Sequence, residues 1–140
     1  MPNIKVKIVP WRRFPEGHRA PNTLGSWMPK EETIYLQKGK WTPHVLEHEL
    51  GHALLPEKEP ETAAQHVRNE INAELFGYIP PSNLQFLYGL VNSTTEEYYC
   101  TPSQAVRLIE TQLGRRKNKI PPLWWKQLAR IRKEAKEAEK

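Results

Sequence analysis

The stretch His48-Glu49-Leu50-Gly51-His52 sets two imidazoles four residues apart with a carboxylate between them. On an α-helix this spacing separates the rings by about 40° around the axis and about 6 Å along it, so both can reach one ion. With His48 taken as zero, Glu49 falls at about 100°, where it can take a proton from a water activated by that ion. Leu46, Leu50, Ala53 and Leu54 fall at about 140–240° and predict an apolar face buried opposite the histidines. Gly51 costs roughly 1 kcal/mol relative to Ala inside a helix, and a close backbone approach from another element would explain it. In a chain of this composition His-Glu-x-x-His arises by chance about 0.02 times, so metal binding, with zinc as the natural ion, outweighs a merely solvated helix.

A hydrolytic zinc site takes three protein ligands and leaves a fourth position to water. All 16 acidic residues are Glu, which removes Asp from the choice, and the position six residues after His52 is Lys58 rather than a histidine. His44, His66, Glu70 and Glu74 remain. His66, Glu70 and Glu74 recur at four-residue spacing on a second helical segment, beside the small residues Ala63 and Ala73. Glu70 is favoured as the ligand and Glu74 as a carboxylate that orients one of the histidines. His66 reads as a surface residue, and His44, one turn before His48, as solvated. An acyl-transfer site also wants a donor for the oxyanion. His66, Tyr78, Tyr98 and Tyr99 are the candidates, although packing is the commoner role of the tyrosine pair.

The elements that must position these residues follow from local pattern. Ile4, Val6 and Ile8 alternate with Lys5 and Lys7, which predicts a strand with one buried face, ended by Pro10. A short strand is expected near Leu24–Trp27 and another over Thr33–Gln37. Thr42-Pro43 pairs an N-cap with proline at the first helical position, opening the motif helix to about Leu55. A second helix is expected from Pro60 or Glu61 to Gly77, and a short one from Ser82 to about Val91. Thr101-Pro102 opens another, stopped by Gly114, and the last runs from Leu123 to about Glu139. The fold class is therefore α+β: a small N-terminal β-sheet followed by helices.

With these residues in place, the chain resembles the gluzincins, zinc peptidases with HExxH and a downstream Glu. More narrowly it is similar to the ImmA/IrrE-type metallopeptidase domains and the minigluzincins. His48-Glu49-Leu50-Gly51-His52-Ala53-Leu54-Leu55 and Glu70-Ile71-Asn72-Ala73-Glu74-Leu75-Phe76-Gly77 carry the likeness, with Pro80 near the usual closing proline and Gly77 in place of the usual Ala. It covers about residues 20–80. The resemblance implies a zincin-like half-domain: a small sheet, then the motif helix, then the helix bearing the third ligand. That core is expected over residues 1–92; from residue 82 on the chain carries no part of the likeness, and residues 93–140 are expected as a helical C-terminal extension packed on the core in one structural domain. The resemblance further implies that His48, His52 and Glu70 bind zinc, that Glu49 is the catalytic base, and that Thr33–Gln37 is the edge strand that pairs with an extended protein or peptide substrate.

Composition narrows the setting. The 140 residues suit one core. No apolar run approaches the roughly 20 residues that span a bilayer, and the Lys-rich N-terminus lacks a signal-peptide core. One cysteine, Cys100, permits no internal disulfide, and a reducing, cytoplasmic location is expected. The net charge of +5 is concentrated at the C-terminal end: residues 115–140 carry ten Lys or Arg against three Glu. That basic run and the last helix offer a cationic surface for nucleic acid or for a DNA-bound regulator, although a solvated helix face is the commoner meaning of such a run. A rival to the peptidase is a latent or inactive zinc-binding domain that serves as a regulatory or protein-interaction module, with Trp124-Trp125 as a plug.

Overall fold

The computed structural model describes residues 3–15, 23–55, 57–76 and 85–140. Among these, the fold is α+β, with three strands and five α-helices. Strands β1 (Lys5–Val9), β2 (Gly25–Met28) and β3 (Thr33–Gln37) precede helices α1 (Pro43–Leu54), α2 (Ala63–Phe76), α3 (Gln85–Tyr98), α4 (Pro102–Gly114) and α5 (Pro122–Ala138). The chain divides into two compact units, residues 1–57 with 72–79 and residues 58–71 with 80–140. The position between residues 92 and 93 lies inside α3.

In the first unit the strand order is β1-β3-β2, with β1 parallel and β2 antiparallel to β3. β3 is thus the central strand, which corrects its expected place at the edge. Its Ile34 and Leu36 are fully buried, because α1 packs on β2 and β3. Val6 and Ile8 pair with them in register yet stay 46% and 49% exposed. The buried face expected of β1 is therefore missing, since α1 lies over the other two strands.

Thr42 caps α1 by accepting a hydrogen bond from the Val45 amide at 3.3 Å. The leucine face expected to be buried is only partly covered: Leu54 is exposed and Leu46 and Leu50 are half-buried. The buried residues of α1 are Glu49 and Gly51. α2 starts later than its prolines indicated, because the Thr62 hydroxyl accepts from the Gln65 amide at 3.2 Å and acts as its cap.

The second unit has an apolar core. Trp124, Leu128, Ile131 and Ala135 line one stripe of α5, and Ala105, Val106, Ile109 and Leu113 one stripe of α4. α3 extends well past Val91. Ser93, Thr94 and Thr95 donate their hydroxyls to carbonyls three or four residues back, so this polar run stays helical.

Candidate metal centre

α1 and the last five residues of α2 meet at a close backbone approach. A Cβ on Gly51 would come within 2.7 Å of the Ala73 Cα and carbonyl oxygen, so a side chain there would hold the two helices apart. Gly25 of β2 gives room on another side of α1: a Cβ there would lie 2.7 Å from Val45 Cγ1 and 3.2 Å from Glu49 Cγ. Glu49 is consequently buried against β2.

This approach brings Glu74 to the histidine face. Its Oε1 accepts from His48 Nδ1 at 2.9 Å and its Oε2 from His44 Nε2 at 2.7 Å. Glu74 is only 1% exposed, so both bonds act where an unpaired carboxylate is costly. His44 is therefore engaged with a buried carboxylate rather than solvated. His52 Nδ1 donates in turn to Glu57 Oε1 at 2.7 Å. Sequence reasoning missed Glu57, because only the position after it was tested for a ligand.

With a carboxylate at Nδ1 of each ring, the two Nε2 atoms face each other 3.1 Å apart. Such a pair holds either a shared proton or a cation. Two ring nitrogens at this separation can both reach one metal ion. Glu70, one turn before Glu74 on α2, completes a group with His48 and His52 whose ligand atoms all lie within 4.8 Å of one another. This His-His-Glu group could hold a metal ion.

His66 is buried at 8% exposure, contrary to its expected surface position. Its Nε2 lies 3.0 Å from Ser93 Oγ, and its ring packs on Tyr98 with centroids 5.3 Å apart. Burial raises the Tyr98 hydroxyl above its ordinary pKa, and the Glu97 and Glu70 carboxylates add to the effect. Tyr99 is 95% exposed at φ 52°, outside this cluster. Tyr78 lies outside the described residues, as do Gly77, Pro80 and Ser82.

Trp124 packs on Phe86 within the helical core of the second unit, with centroids 5.4 Å apart. Of the basic residues of α5, Arg130 bonds Glu134 and Arg132 bonds Glu110, which engages two of its cations. No helix among the described residues is long and apolar enough to cross a membrane. Comparison with protein families, curated proteins and solved structures finds no match to the chain.

Proposed function

We propose that the protein is a zinc-dependent peptidase in which His48, His52 and Glu70 hold the ion and Glu49 is the general base. The observation that carries this reading is the convergence of the two Nε2 atoms at 3.1 Å, with a carboxylate on the opposite nitrogen of each ring. Two nitrogens and one carboxylate leave a fourth position open, as hydrolytic zinc sites require. When bound, zinc supplies Lewis acidity and lowers the pKa of a water to about 7.

Glu49 follows His48 directly and is buried against β2. In this reading it accepts the proton of the attacking water and returns it to the leaving amine. β2, an edge strand packed on α1, takes the place first given to β3 and pairs with the extended substrate. Among the oxyanion donors, Tyr98 is preferred for its ring contact with His66, which lies one turn before Glu70 on α2.

The test is metal content together with cleavage of a peptide library by the wild type and by Glu49→Gln. Both proteins are expected to retain zinc, while cleavage by the variant falls by about a hundredfold to ten-thousandfold. Equal cleavage by the two would remove Glu49 from the mechanism. A wild type that takes up no zinc would overturn the whole reading.

A further inference from the structure

Glu74 has two oxygens, and two residues of α1 share them. His44 and His48 stand one helical turn apart, and the carboxylate bridges both rings from α2. The His48 bond alone would hold Glu74 at Oε1 only, in a site that is nearly closed to water. A carboxylate held at one oxygen can still rotate about its terminal bond, and Oε1 would then swing away from Nδ1. Engagement of Oε2 by His44 at 2.7 Å fixes the plane of the group. Oε1 then stays at 2.9 Å from His48 Nδ1, which keeps the hydrogen on that nitrogen and the lone pair on Nε2.

We propose that His44 is a positioning residue for the metal centre, acting through Glu74 to hold His48 in the tautomer and orientation that present Nε2 to the ion. The inference rests on the metal-binding reading above, but it also predicts a property of the metal-free protein. The carboxylate that meets His52 is differently placed: Glu57 follows the end of α1 and its side chain keeps 20% exposure, whereas that of Glu74, within α2, keeps 2%. The two histidines should therefore differ, with His48 the more rigidly held.

The experiment compares His44→Phe with His44→Gln. Phenylalanine fills the ring's volume and offers no donor, whereas the glutamine amide can donate from nearly the same place. Zinc affinity is measured by competition with a chromophoric chelator, and the His48 tautomer is read by NMR of its ring nitrogens without metal. His44→Phe is expected to weaken zinc binding by about 10- to 100-fold and to mix the His48 tautomers, and His44→Gln to restore both. On a Glu74→Ala background, His44→Phe should add nothing. Wild-type affinity and a single tautomer in His44→Phe would overturn the proposal, as would equal losses in the two variants. Failure of the wild type to bind zinc would instead refute the metal reading, while the tautomer measurement would still test His44.

Discussion

The two compact units bury different chemistry. The first hides Ser26, Thr33, Gln37, Glu49 and Glu74 beside a small apolar set of Phe14, Ile34, Leu36 and Ala73. Among the described residues, the second buries most of the large aliphatic side chains together with Trp124, and its buried polar residues are His66, Thr94 and Gln112, with no carboxylate among them. A buried carboxylate costs free energy unless it is bonded, so the first unit carries groups that do not by themselves favour folding. The second carries the ordinary drive of apolar burial. This difference teaches where to look for function: buried carboxylates set against a histidine face, in a unit with little core to spare, mark the site.

The sharpest way to break this comparison is to damage the core that has no chemistry. Trp124→Ala is expected to cost about 3–5 kcal/mol of stability, measured by denaturant unfolding. Variant protein that remains folded should bind zinc with wild-type affinity. A loss below about 1 kcal/mol would mean that Trp124 is not a core anchor.

Metal should act on the other side of the comparison. Zinc at about a hundred times its dissociation constant is expected to stabilise the fold by about 2.7 kcal/mol. Hydrogen exchange should slow chiefly in α1 and over residues 70–76, and little in α4 or α5. Uniform slowing across the chain would erase the distinction between the units.

Gly51→Ala tests the close approach that allows Glu74 to reach His48. Helix propensity alone would favour Ala by about 1 kcal/mol, but overpacking typically costs about 1–3 kcal/mol. The atoms in the way are backbone atoms of Ala73, which cannot move aside cheaply. A net loss of about 1 kcal/mol and weaker zinc binding are expected, and a gain in stability would show that the helices can separate without consequence.

Much of this was legible in the sequence. The caps at Thr42 and Thr101 and the histidine spacing are local signals, and the helices they predict are present. Gly51 stood out because a helix has no local reason to hold it, and its reason is Ala73. What could not be read depends on tertiary placement. Val6 and Ile8 alternate like buried residues, yet nothing local says that α1 covers the neighbouring strands. His44 carries no mark in the sequence that separates a solvated ring from one bonded to Glu74. Glu57 lies beyond the helix, where helical periodicity no longer predicts direction.

The smallest expected effect belongs to the second unit. Glu139, at the end of α5, accepts from the Ser103 amide at 2.9 Å and from the Ser103 hydroxyl at 2.7 Å, at the N-terminus of α4. The backbone bond and then the hydroxyl bond hold its carboxyl below the ordinary value. Because the folded value is the lower one, this contribution is complete above the unfolded value and is lost as pH falls through the folded one. Glu139→Gln should therefore be slightly less stable than wild type at neutral pH, with the difference closing in acid. Zinc affinity should not change, since the pair lies within the helical unit. A stability difference that stayed constant from neutral pH into acid would show that the carboxylate's charge contributes nothing at this helix end.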